Sequence, residues 1–244
     1  MSAVLTGLLI ALALPPYLPW WIPVFASATA ITLGKQIYGG LGNNISNPAM
    51  LGYFMVLIAW PLHLTAWPDS TTLVTNLDTA LKYAGTHDGN ILASAMSGAT
   101  PLEIWRIGSH KLTDIAPIPW EMLNIAFALG GLWLLFKGII SWHIPVAFIV
   151  TLAVAIIIIH SDLDVLRLHL TSGSTMLGAF FIATDPATSP RNPLAMLIFG
   201  VVIGLLLALI RSWGNFADGL AFAVLTTNAL VPLLDKLSPS HANK

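Results

Sequence analysis

Ser97-Gly98-Ala99-Thr100 offers a hydroxyl that chemistry can reach. Gly98 and Ala99 put little bulk beside Thr100, and Pro101 biases it toward extended backbone, which leaves its Oγ accessible. Arg106, His110 and Lys111 follow closely, and they could balance the charge of an anionic group there; the same residues also read as a solvated basic cluster. Taken alone, the tetrapeptide is an ordinary turn. Its setting gives it weight: it lies within a polar segment, residues 61–119, of a chain otherwise made of long apolar runs.

Other residues could also carry chemistry. Ser172-Gly-Ser-Thr175 resembles the first motif, but it opens an apolar stretch leading to Asp185, so Thr175 is expected to be buried, with its hydroxyl bonded to backbone at a helix start or facing a ligand. Asp185 is the acid expected within the membrane's thickness, where ionisable residues are functional candidates by default. With Asn43, Asn44, Asn47 and Asp218 it could line a central cavity for a bound ligand or a cation, or these residues could simply cap broken helices. His143 has no second histidine at a spacing that suits haem. The absence of cysteine excludes disulfides, cysteine-ligated iron–sulfur clusters and c-type haem within this chain.

The elements that must position these residues are membrane-like. Of the 244 residues 56% are hydrophobic and only 9% charged, with a mean hydropathy of +0.81; a soluble domain has about a quarter of its residues charged. A net charge of −1 gives no reason to invoke nucleic acid. The expected fold is an all-α polytopic membrane protein with about eight hydrophobic segments, at 3–14, 21–34, 49–60, 120–136, 139–159, 172–186, 193–210 and 220–234. A stretch such as 3–14, about 18 Å as a helix, is too short to cross a core of about 30 Å, and the prolines and the Gly/Asn-rich break at 35–48 interrupt the first half. Backbone broken at this depth must be packed against protein. Asp162, Asp164, Arg167 and His169 read as a short polar loop. Trp20, Trp21, Trp60, Trp67, Trp120 and Trp142 stand at the ends of apolar runs, as interfacial residues do.

The chain divides into first-repeat membrane segments (1–60), a polar loop carrying the hydroxyl motif (61–119), second-repeat membrane segments (120–235) and a tail (236–244). Gly7 to Pro15 parallels Gly178 to Pro186, and the Asn-rich stretch after Gly42 parallels that after Gly214, a pattern expected of inverted repeats with broken or re-entrant helices. On this pairing the first half lacks two N-terminal helices that the second half has. Threading alternate crossings gathers Lys35, Lys137, Arg191, Lys236 and Lys244 on one, cytoplasmic side, with Thr100 on the other.

Four stretches together resemble a known family: Lys35-Gln-Ile-Tyr-Gly-Gly-Leu-Gly-Asn-Asn through Asn47-Pro-Ala-Met-Leu-Gly-Tyr; Ser97-Gly-Ala-Thr-Pro-Leu; Ser172-Gly-Ser-Thr-Met-Leu-Gly-Ala-Phe-Phe-Ile-Ala-Thr-Asp-Pro; and Asp218-Gly-Leu-Ala-Phe-Ala-Val-Leu. The chain is similar, collinearly and over its whole length, to the NqrB/RnfD family. Those are membrane subunits of the Rnf (Rsx) electron transport complex and of the sodium-pumping NADH:quinone reductase. The resemblance implies a bacterial inner-membrane subunit, not catalytic alone, of a translocase that moves electrons between ferredoxin and NAD and couples this to Na⁺ or H⁺ translocation. It implies covalent FMN, joined through its phosphate to Thr100 in the Ser97, Gly98, Ala99 context, on a periplasmic loop. It also implies a second, noncovalent flavin such as riboflavin, or an ion pathway, near Asp185, Asn44, Asn47, Asp218 and Thr175. The implied partners are RnfA, RnfB, RnfC, RnfE and RnfG, a flavin transferase and the lipid bilayer. The chain departs from the family pattern at Ser94, where an acid usually opens the flavin motif. A solute channel or transporter with inverted repeats, and a flavin-free structural subunit, are the competing readings.

Overall fold

The computed structural model describes residues 2–16, 18–40, 42–65, 67–68, 97–108, 118–216 and 218–237. The described residues form a helical bundle. In chain order the elements are α1 (Ser2–Ala13), α2 (Trp21–Ile31), α3 (Pro48–Ala59), α4 (Pro61–Leu64), β1 (Trp67–Pro68), β2 (Ser97–Gly98), α5 (Pro101–Ile107), α6 (Ile118–Phe136), α7 (His143–His160), α8 (Leu163–Thr171), α9 (Thr175–Leu177), α10 (Pro193–Trp213) and α11 (Leu220–Leu237). Two π-helical turns, Thr32–Gln36 and Gly178–Ile182, continue α2 and α9. Three helices, over Pro119–Phe136, His143–His160 and Pro193–Trp213, are long and apolar enough to cross a membrane. The bent pair Leu163–Thr171 and Thr175–Ile182, at 59°, makes a fourth if it is counted as one span. The protein is thus a polytopic helical membrane protein, with three or four full-length crossings among the described residues.

Residues 162–169 differ from the sequence expectation. They are not a loop but the start of α8. Asp162 caps it, its carboxylate accepting from the Asp164 amide at 2.8 Å. Val165, Leu168 and His169, spaced three and four apart, turn inward and are buried, while the charged residues that suggested a loop lie on the remaining faces. Arg167 reaches Glu121 on α6 at 2.9 Å. The α7–α8 corner is made by Ser161 at φ 53.

Close helix packing rests on small residues. Gly200 and Gly204 sit one turn apart on α10 and face α7. A Cβ at these positions would lie 2.7 Å from the Ile144 carbonyl oxygen and 2.6 Å from that of Phe148, so the backbones meet as they do in small-xxx-small contacts. Gly52 does the same for α3 against α2, where an added Cβ would lie 2.4 Å from the Ala26 oxygen. Gly204→Ala is therefore expected to cost about 1–3 kcal/mol, because a backbone oxygen cannot step aside as a side chain can. Thermal unfolding in detergent measures this; a variant as stable as the wild type would show that α7 and α10 separate freely.

The two halves join through α3 and α11, where Phe54 and Phe222 meet edge-on at 5.1 Å, and through Asn47, whose amide donates to the Ile182 carbonyl at 3.3 Å. One end of the bundle holds Lys35 against Ser2 and Thr6, Asn47 beside Asp185 and Arg191 beside Asp235. The opposite end holds α5 with Thr100.

Candidate functional site

Thr100 is the N-cap of α5. Its backbone is extended (φ −64, ψ 157), and its Oγ1 accepts from the Glu103 amide at 3.2 Å. Pro101 at the first helical position has no N–H to leave unpaired, so Thr-Pro-Leu-Glu starts a helix on local grounds alone. The hydroxyl proton is not used by this cap, and the side chain is only partly buried. Just upstream, the backbone of Ser97 and Gly98 pairs antiparallel with Pro68 and Trp67. That short ladder ties the motif to the end of α4. Trp67 in turn stands edge-on to Trp120 at the start of α6, ring centres 5.2 Å apart.

Arg106, expected to face a phosphate, is held by Glu103. Its Nη2 and Nε donate to the two carboxylate oxygens at 2.5 and 3.1 Å. An incoming phosphate would share this guanidinium with Glu103. His110, Lys111, Ser94 and Asp88 lie outside the described residues. The other face of α5 is anchored: Trp105, 1% exposed, stands edge-on to His160 at 5.1 Å and to His169 at 4.9 Å.

Beneath α5 lies a buried polar knot that the sequence reading did not assemble. Arg211, at the end of α10, donates to the His169 carbonyl and to Thr175 Oγ1, each at 2.9 Å, and to Asp218 Oδ1 at 3.0 Å. Asp218 Oδ2 accepts from the Ser174 amide at 2.7 Å and also from the Ser174 hydroxyl. Burial pushes the Asp218 carboxyl up, but the Arg211 guanidinium and the Ser174 hydrogen bonds outweigh it and leave the group below the usual carboxylate range. Asn124 of α6 closes the joint between α8 and α9, donating to the Gly173 carbonyl at 3.1 Å and accepting from the Met176 amide at 3.2 Å. Gly173 adopts φ +65, and a Cβ there would meet Leu102 at 2.7 Å and both Arg211 and Asp218 at 2.9 Å. The knot thus seats Leu102, two residues from Thr100. A sequence signal existed: Arg211 ends an apolar run seven residues before Asp218.

Thr175 is 0% exposed, and its hydroxyl donates to the His169 carbonyl at 2.8 Å while accepting from Arg211. It has no room for esterification. Asp218 and Thr175 meet in the knot through Arg211, whereas Asp185 stands ten residues beyond Thr175, about 15 Å along that helical segment, beside Asn47. Asp185 accepts from the Ala187 amide and the Thr188 hydroxyl, each at 3.2 Å, and from the Asn47 amide at 3.5 Å. The Asn44 side-chain oxygen is buried without a hydrogen-bond partner, and the Asn43 amide closes a turn onto Gly40 at 3.5 Å. His143 stacks on Trp142 at 4.2 Å.

A cavity of about 470 Å³ opens at the α5 end, bordered by Thr100, Arg106, Trp67, Trp120, Ser174 and Asp218, and running inward to Tyr53, Phe127 and Ile182. Its rim carries a hydroxyl, a cation and an acid, and its walls are aromatic and aliphatic. Such a space suits a planar ring system with a polar, anionic tail.

Comparison with known proteins agrees with this architecture. The profile of the NQR2, RnfD, RnfE family matches residues 1–243. The chain is 43% identical to the D-type component of the ion-translocating oxidoreductase complex of Citrobacter koseri, over 96% of its length and 75% of the relative's. It is likewise 43% identical to that of Sodalis glossinidius, over 99% and 77%, and 41% identical to that of an Escherichia coli strain, over 96% and 75%.

Proposed function

Because the chain belongs to the NQR2, RnfD, RnfE family, we propose that it carries FMN esterified through phosphate to Thr100 and so serves electron transfer between ferredoxin and NAD. At the coarser level it is a membrane subunit of an Rnf-type ion-translocating oxidoreductase complex. The observation that carries the flavin reading is the contrast between two hydroxyls. Thr100 borders a cavity of about 470 Å³, while Thr175 in the look-alike motif is fully buried and engaged by Arg211.

The residues present fit the group. Thr100 Oγ1 would anchor the phosphate, Arg106 would lend charge to it, and Trp67 and Trp120 would flank the ring. When bound, flavin supplies the electron-carrying chemistry, and the protein supplies position and surroundings. Oγ1 keeps a lone pair toward the Glu103 amide, so the cap and the ester are compatible. The knot of Arg211, Asp218 and Ser174 holds α5, and therefore the anchor, against the cavity. Asp185, Asn44 and Asn47 are proposed for the ion route at the opposite end. A second, noncovalent flavin would find space in the inner, apolar part of the cavity.

An inverted repeat of broken helices is the topology we favour. The two π-helical turns, Thr32–Gln36 and Gly178–Ile182, one in each half, support it. By the positive-inside tendency, Lys35, Lys137, Arg191 and Lys236 are cytoplasmic and Thr100 is periplasmic.

Mass spectrometry of the chain co-produced with a flavin transferase tests the anchor. An adduct of about 438 Da, the mass of an FMN phosphoester, is expected on the wild type. It should be absent from Thr100→Asn, which keeps an N-cap acceptor but has no hydroxyl. Thr100→Ala should lose the adduct and also about 1 kcal/mol of helix capping. Persistence of the adduct in Thr100→Asn would move the ester elsewhere and end the assignment.

A further inference from the structure

Asn228 lies in α11, only 1% exposed, and neither its Oδ1 nor its Nδ2 has a hydrogen-bond partner. Four residues on, Pro232 stands inside the same helix. Proline has no N–H to give to the carbonyl of residue i−4, and that carbonyl belongs to Asn228. Position 228 thus presents a side-chain carbonyl, a side-chain amide and a main-chain carbonyl without its helical donor. Buried polar groups left in this state are costly, and folds keep them where something else satisfies them.

The surroundings indicate what that is. α11 packs on the spanning helix α10 and on α3, to which it runs antiparallel, with Phe222 against Phe54. Six residues along α11, about 9 Å, bring Asn228 to the depth at which α3 begins. There Asn47 touches Asp185.

We propose that Asn228 is a ligand of a monovalent cation held inside the bundle. Its side-chain oxygen and the main-chain oxygen freed by Pro232 are the donors, and the Asp185 carboxylate at the same depth is the countercharge. Carbonyls released where a membrane helix is broken suit a partly dehydrated alkali cation. A divalent ion would need carboxylate ligands that position 228 does not have. The site deepens the ion-translocation reading, but its test requires no flavin.

The experiment follows thermal unfolding of the purified full chain in detergent, with Na⁺ or K⁺ titrated against choline at constant ionic strength. The wild-type midpoint is expected to rise with one of the alkali cations, since a ligand bound only by the native state stabilises it by mass action. Asn228→Leu should lose the rise, and Pro232→Ala, which restores the missing N–H, should shift it to higher concentration. Asn228→Asp should respond at about tenfold lower cation concentration. Wild-type protein indifferent to Na⁺ and K⁺, or Asn228→Leu titrating like the wild type, overturns the site. Should the leucine variant not fold, an Asn228→Asp response equal to wild type overturns it instead. Thr100→Asn is expected to titrate like the wild type, so failure of the flavin assignment and failure of this site are separate results.

Discussion

Arg211→Leu is expected to cost about 3–5 kcal/mol of stability, the penalty for removing one partner of a buried ion pair and leaving the other charge alone. The size follows from the surroundings. Arg211 is 1% exposed, and Asp218 keeps only 24% of its side chain accessible, toward the cavity. The guanidinium also holds the His169 carbonyl and Thr175 Oγ1, so its loss unpairs groups on α8 and α9 together. A double replacement, Arg211→Leu with Asp218→Leu, is expected to recover part of the loss, because no bare charge remains. The pH dependence has a definite sign. Folding lowers the Asp218 carboxyl below its usual range, so the pair contributes fully above the unfolded value of about 4 and loses that contribution as the pH falls through the lower, folded value. The gap between wild type and Asp218→Asn should therefore hold at neutral pH and close only in acid. Denaturation in mixed micelles across pH measures both effects; a pH-independent gap, or none, would remove the ion pair from the account. Because Gly173 seats Leu102 against this knot, flavin loading at Thr100 should fall in Arg211→Leu although the hydroxyl is untouched.

Legibility in the sequence followed the range of the interaction. The start of α10 could be read from Asn192-Pro193, a cap followed by a residue that suits the first turn. Thr100 could be told from Thr175 because an apolar run behind a motif implies burial. The helix at Leu163–Thr171 was not legible. Asp162, Asp164 and Arg167 crowd the stretch and conceal the inward stripe of Val165, Leu168 and His169. Gly200 and Gly204 looked like two glycines in an apolar run, since nothing local says which face of α10 meets α7. The Arg211–Asp218 pair needed the chain to turn back after α10 to bring charge to charge. Asp185 and Asp218 take different partners, Asn47 and Arg211, and nothing local in the sequence says which.

Asp185→Asn is expected to lower ion-coupled electron transfer in membrane vesicles by about tenfold or more, equivalent to about 1.4 kcal/mol or more in the coupled step, while leaving the fold and the Thr100 adduct intact. The amide can do nearly all of the structural work of the acid. Its oxygen still accepts from the Ala187 amide, and the Thr188 hydroxyl can turn to accept where it now donates. Only the long Asn47 contact, 3.5 Å, is lost, so the stability cost should be about 1 kcal/mol or less. The charge is what the amide cannot replace, and an acid at the junction of two broken segments is placed to meet a moving cation. Distance protects the flavin anchor, which lies at the far end of the bundle. If Asp185→Asn vesicles, with flavin loaded normally, couple as well as wild type, then Asp185 caps the turn at 185–189 and the ion passes elsewhere. Loss of coupling accompanied by unfolding would likewise assign it to structure, whereas loss of coupling in a stable, flavinylated protein assigns the charge itself to the ion path.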